Sequence, residues 1–103
     1  MSKHVTHWID GKAFGGVADR QGDIFDPATG QVSGKVDFAD TALVDEAVAA
    51  ANAAFAEWRH AALTKRTQVL FKLRGLLDAR KGEIAGLSTA EHGEVLSDAL
   101  GGV

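Results

Sequence analysis

From Phe38 to Leu73 the chain contains no glycine and no proline. Upstream of that stretch Gly11, Gly15, Gly16, Gly22, Pro27, Gly30 and Gly34 punctuate the sequence every few residues. Glycine and proline are the strongest local breakers, so the first third cannot hold a long helix and the middle third can. The division predicts strands and turns first and helices after, an α+β chain that is mostly helical. With 103 residues there is room for one small unit. Its expected parts are a β-hairpin arm over 1–37 and a helical segment over 38–103.

Two hairpins are predicted in the arm. Val5-Thr6-His7-Trp8-Ile9 is β-branched and aromatic, and Asp10-Gly11 separates it from Lys12-Ala13-Phe14. Asp-Gly between extended segments suits a two-residue turn with positive φ. The second hairpin places Ile24-Phe25 before Asp26-Pro27-Ala28-Thr29-Gly30 and Gln31–Val36 after it. Asp26 accepts turn N–H groups, Pro27 presets φ, and Gly30 closes the turn in a left-handed conformation.

A first helix is expected from Thr41 to Arg59, capped by Asp40 or Thr41, with Asp45 and Glu46 near its positive end. Leu43, Val44, Ala47, Val48, Ala51, Phe55 and Trp58 fall within an arc of about 140°, which predicts one buried stripe. A second helix, with Thr64 as its cap, gathers Val69, Leu70, Leu73, Leu76, Leu77, Ile84 and Leu87 within about 120°. Phe71 lies on the far side and needs a second partner. A break is expected near Arg80-Lys81-Gly82. A short helix should then run from Glu83 to a Gly93 stop, and another should begin at Val95.

Composition excludes several classes. The chain has no cysteine, so it is not a disulfide scaffold and supplies neither a thiolate metal site nor a cysteine nucleophile. A net charge of −3 gives no electrostatic reason for nucleic acid or an anionic membrane as partner. No apolar run approaches the roughly 18 residues of a membrane span, and Met1-Ser2-Lys3-His4 opens no signal peptide. The expectation is a soluble, cytoplasmic chain. Hydrophobic residues make up 46%, enough for a core, yet alanine supplies 18 of them and adds helix more than volume.

The search for chemistry is mostly negative. Gly11-Lys12-Ala13 lacks the upstream glycine and the following hydroxyl of a phosphate loop, and no Gly-x-Gly-x-x-Gly occurs. His4 and His7 would point to opposite faces of a strand, which argues against a shared metal. His60 suits the negative end of the first helix. Glu91-His92 would need a reacting hydroxyl, and Ser88, Thr89 and Ser97 are not placed to serve by any pattern. Helix-end roles fit that pair better. Arg59, Lys65, Arg66, Arg74, Arg80 and Lys81 read as a solvated face, and Trp58 reads as core rather than ligand platform.

Taken in order, Trp8-Ile9-Asp10-Gly11-Lys12, Ile24–Gly30 and Val44–Ala51 with Phe55 and Trp58 resemble the N-terminal stretch of the aldehyde dehydrogenase superfamily. Arg66, Leu70, Leu73, Leu77, Leu87 and Glu91-His92-Gly93 continue the resemblance. Thr89–Ala99 is most similar to the methylmalonate-semialdehyde dehydrogenase group. The resemblance implies an NAD-dependent oxidoreductase that forms a cysteine thioester and passes it to coenzyme A. It also implies a chain several times longer, assembled as an oligomer, with nucleotide site, cysteine and general-base glutamate beyond residue 103. No residue here receives a catalytic or cofactor-binding role. The backbone carbonyls of Ile24 and Phe25 are implicated as part of a monovalent-cation site. Glu94 departs from the family's usual lysine, and Gly102 from the group's usual acidic residue.

The expectation is therefore an N-terminal segment, an incomplete part of the aldehyde dehydrogenase fold and inactive alone. It would associate with itself or with the remainder of such an enzyme. A stand-alone interaction or oligomerisation module is the alternative, and a small enzyme built on Glu91 and His92 a distant third.

Overall fold

A computed structural model describes residues 3–103; Met1 and Ser2, the start of the segment read for a leader, lie outside the described residues. Five strands precede four helices: β1 (Lys3–Val5), β2 (Trp8–Ile9), β3 (Lys12–Ala13), β4 (Gln21–Phe25), β5 (Val32–Asp37), α1 (Thr41–Trp58), α2 (Leu63–Ala79), α3 (Lys81–His92) and α4 (Leu96–Gly101). The α+β, mostly helical architecture expected from the glycine pattern is present. The described residues form two compact units, one running to Ile24 and resuming over Val32–His60, the other joining Phe25–Gln31 to Ala61–Val103.

In the first unit, β2 and β3 pair antiparallel across Asp10-Gly11. Asp10 and Gly11 both have positive φ, 55° and 75°, the backbone required by a two-residue turn that matches strand twist. The Val5–Ile9 run does not form one strand of that hairpin. Its first part is β1, which pairs parallel with β5 and gives a three-stranded sheet in the order β1-β5-β4. Parallel pairing of residues some thirty positions apart leaves no local signature, which explains the difference. Gly34 permits it: an added Cβ would sit 2.7 Å from Lys3 Cβ and 2.9 Å from its carbonyl carbon.

The turn between β4 and β5 is built as its residues dictate. Asp26 accepts the Ala28 N–H on its carboxylate at 2.8 Å and the Gly30 N–H on its carbonyl at 2.7 Å. Gly30 is left-handed, φ 75°.

Asp40 caps α1, its carboxylate accepting the Leu43 N–H at 2.8 Å. Asp45 and Glu46 lie beyond the first turn, which carries no acid. Ala47 and Ala50, half-buried on α1, border a groove that Ile9 and Asp10 also line, while the half-buried Leu43 borders Phe14 and Phe38.

In the second unit, α2 starts at Leu63 with Ala62 in the cap position and no side-chain cap, so Thr64 does not serve as one. Thr64 already lies inside the first turn. The break falls at Arg80, and α3 begins at Lys81 rather than Glu83. Arg80 and Glu83 hold each other there through two guanidinium–carboxylate bonds of 2.7 and 2.9 Å. Gly93, with φ 85°, ends α3, and a Cβ on it would lie 3.3 Å from the Pro27 ring.

The predicted cores are the main correction. No residue of α1 or α2 is buried. Trp58, read as core, is 43% exposed, and Leu70 and Phe71 are 64% and 66% exposed. Among the described residues, the buried apolar ones are Ala85 on α3 and Ala99 on α4. The stripes have helical periodicity as predicted, but the described residues cover them only in part, and no position of α1 or α2 is fully buried.

Candidate functional site

Alternation along the strands collects polar side chains on one face of the three-stranded sheet. His4 on β1, Gln21 and Asp23 on β4, and Lys35 and Asp37 on β5 share it. Asp37 is the buried carboxylate of the chain's described residues, 5% exposed. One of its oxygens accepts hydrogen bonds from His4 Nε2 and from Gln21 Nε2, each at 2.7 Å. The His4 bond, followed by that of Gln21, holds the Asp37 carboxyl below its ordinary value. Lys35 pairs with Asp23 beside this cluster.

The Asp37 cluster was not identified from sequence. Strand alternation over Gln21–Phe25 and Val32–Asp37 groups four of its members, but His4 joins only through the parallel pairing of β1. Its chemistry is structural: the imidazole and amide are both committed to the carboxylate, and the Thr6 hydroxyl bonds it as well. Three strands are tied together at one oxygen.

The other candidates stay apart. His7 lies between β1 and β2, its ring edge-on to Phe14 at 5.9 Å, and does not join His4. No group of three or more metal-binding side chains occurs among the described residues. His92 occupies the last turn of α3, the helix-end position expected of it. Ser88 donates its hydroxyl to Glu94 at 2.6 Å, not to Glu91 or His92. Glu94, which departs from the family pattern, thus binds back onto α3. Ile24 and Phe25 end β4, and the Ile24 carbonyl accepts the Ser33 hydroxyl at 3.2 Å.

The chain's dominant surface feature is apolar. Val44, Val48, Phe55 and Trp58 line one exposed stripe on α1; Val69, Leu70, Leu73 and Leu76 line another on α2. Monomeric proteins rarely leave such contiguous patches in water.

Residues 16–103 match the model of the aldehyde dehydrogenase family. The chain belongs to that family. It is 41% identical over 94% of its length to a malonate-semialdehyde dehydrogenase of Pseudomonas aeruginosa, of which it covers 19%. It is 37% identical over 98% of its length to a protein of the same name from Listeria monocytogenes, covering 21% of it. Among solved structures it matches a protein assigned as methylmalonate-semialdehyde dehydrogenase from Sinorhizobium meliloti 1021, in complex with NAD. The TM-score there is 0.92 and the identity 38%, over 98% of this chain and 21% of that one. The methylmalonate-semialdehyde dehydrogenase of Oceanimonas doudoroffii gives 0.89 and 36%, over 98% and 20%. The family member described here thus spans about a fifth of the length of these relatives. It matches an N-terminal part of the aldehyde dehydrogenase fold. No helix among its described residues is long and apolar enough to cross a membrane.

Proposed function

We propose that this chain acts as the N-terminal segment of an NAD-dependent, coenzyme A-acylating malonate- or methylmalonate-semialdehyde dehydrogenase. Its part is to build and support the fold rather than to react. The observation that carries this is the mismatch between shape and core. The backbone follows a fifth of a solved relative at a TM-score of 0.92, yet among its described residues only Ala85 and Ala99 are buried apolar ones. A segment shaped in this way, with apolar helix faces uncovered, is suited to packing against the rest of such an enzyme.

Acyl transfer through a thioester needs an activated thiolate, and a chain without cysteine supplies none. NAD, when bound, would take the hydride, and coenzyme A would accept the acyl group. No residue of this chain is assigned to hold either. What the chain's own residues do is positional. The Asp37 cluster joins three strands, the Asp26 turn sets the path between β4 and β5, and Gly93 against Pro27 fixes the end of α3.

The carbonyls of Ile24 and Phe25 fit a monovalent cation only in part. Neighbouring carbonyls on a strand face opposite edges, so the two supply at most one ligand to a single ion. The Ile24 carbonyl is already engaged by Ser33. The remaining ligands of such a site would come from outside these residues.

The test is complementation. A related dehydrogenase subunit lacking the matching fifth is mixed with this chain, and NADH formation is followed with malonate semialdehyde and coenzyme A. The expected result is no turnover from the chain alone and recovered turnover in the mixture. Turnover by the chain alone, surviving removal of host enzymes, would overturn the proposal.

A further inference from the structure

β1 is fastened to the sheet at few points. It has three residues, against five in β4 and six in β5, and it pairs at the sheet's edge with β5 alone. No turn joins it to β5. The Asp37 carboxylate adds what so short a ladder lacks: its side chain is 3% exposed, and the His4 side chain that reaches it from β1 is 58% exposed. His4 Nε2 and Gln21 Nε2 donate to the same carboxylate oxygen at 2.7 Å each, and the Thr6 hydroxyl, one residue past β1, bonds the group as well. A proton on the shared oxygen would face two N–H groups, and a proton on the other oxygen removes the charge that strengthens both bonds. The neighbouring charges are otherwise engaged. Lys35 and Asp23 pair with each other on the same face. The Arg20 guanidinium lies over the Phe38 ring and donates to the Ala39 carbonyl at 3.4 Å. Asp40 caps α1, His7 meets Phe14 edge-on, and Lys3 belongs to the opposite face of β1.

We propose that β1 is an acid-released strap: protonation of Asp37 frees His4 and Thr6, lifts β1 off β5 and leaves the rest of this unit folded. The three donors differ in what else holds them. Gln21 sits on β4, which keeps its own ladder with β5. His4 and Thr6 belong to a three-residue strand and its continuation, and so give way first. Hydrogen bonds from His4 and then Gln21 outweigh the cost of burial, so the folded Asp37 carboxyl ionises below its ordinary value of 3.8. The strap's hold is therefore complete above that value and is lost as pH falls through the lowered one. Release bares the β5 edge at Gly34, where Lys3 otherwise lies against the backbone.

Amide exchange of the whole chain, followed by NMR from about pH 6 to about pH 3, tests this. Each rate is divided by that of an unstructured peptide at the same pH, so that acid effects on exchange itself cancel. The protected β1 amides should lose about tenfold or more of their protection across that range, the worth of one bond to a charged acceptor. Amides of β4, the β2–β3 hairpin and α1 should change far less. Asp37→Asn keeps an acceptor oxygen but does not ionise, so β1 protection in that variant should be level across the range. His4→Ala, at an exposed position, should show weakened β1 protection already at the upper end of the range and a smaller acid fall. Circular dichroism checks that Asp37→Asn is folded, and His4→Ala decides alone if it is not. β1 protection that ignores pH overturns the proposal, and so does an acid fall that persists undiminished in Asp37→Asn or in His4→Ala. Loss of β4 and α1 protection in step with β1 overturns it too, because acid would then unfold the unit as a whole.

Discussion

Replacing Gly34 by alanine should detach β1 from the sheet while leaving the rest of the fold in place. The new Cβ would lie 2.7 Å from Lys3 Cβ and 2.9 Å from the Lys3 carbonyl carbon, and closer still to the carbonyl oxygen. These are backbone and near-backbone atoms that cannot rotate aside. The chain has two ways to relieve the clash: β5 shifts, or β1 lifts off. Shifting β5 also disturbs its pairing with β4, so lifting β1 is the cheaper response. That sets the ceiling on the cost. β1 contributes three residues in register with Gly34, Lys35 and Val36. About two or three ladder hydrogen bonds at ~1 kcal/mol each give a loss of about 2–3 kcal/mol. In amide exchange this is a fall in β1 protection of about 30- to 150-fold, since 1.4 kcal/mol is tenfold. The His4–Asp37 bond goes with it, so His4→Ala should reproduce part of the loss without any clash. Amide exchange read by NMR distinguishes these outcomes residue by residue. If Gly34→Ala leaves the β1 amides as protected as before, the close-approach argument is wrong. If instead the β2–β3 hairpin and α1 lose protection together with β1, the strand is not a separable element.

Further outcomes follow from particular residues. Asp40→Ala removes the acceptor of the Leu43 N–H and should cost about 1 kcal/mol, read from urea denaturation followed by helix signal. Asp37 has a carboxyl lowered from 3.8, so its stabilising contribution is complete above that value and is lost as pH falls through the lowered one. Asp37→Asn should therefore flatten the acid limb of stability below about pH 4, and an unchanged limb would refute the assignment. Ala85→Leu overfills a fully buried position and should cost about 1–3 kcal/mol, whereas Leu70→Gln on the exposed stripe should change monomer stability by less than about 0.5 kcal/mol. Glu94→Lys removes the acceptor of the Ser88 hydroxyl, and its effect should appear as faster amide exchange at the end of α3.

Local features were legible wherever the interaction that fixes them is itself local. Asp10-Gly11 gave its turn, Asp26–Gly30 its turn, Asp40 its cap and Gly93 its stop, because each acts within a few residues. The helical stripes were legible as periodicity. Their exposure was not, since periodicity shows which face wants cover and says nothing about where the cover comes from. Thr64 failed as a cap because cap preference is a matter of tenths to about 2 kcal/mol, too little to fix a helix start that falls two residues earlier, at Ala62. Trp58 was misread because an apolar position on an amphipathic helix is buried only if a neighbour exists.

The order of amino acids by itself determined a strand-and-turn arm followed by two to four helices, with no thiolate and no glycine-rich nucleotide loop. Backbone freedom at glycine, lost freedom at proline and helical period are properties of the chain's immediate neighbourhood. Only the tertiary structure decided that β1 runs parallel beside β5, that His4 and Gln21 meet at Asp37, and that the helix faces lie bare. Those depend on segments far apart in sequence sharing one place, and on whether any surface is there to meet an apolar side chain.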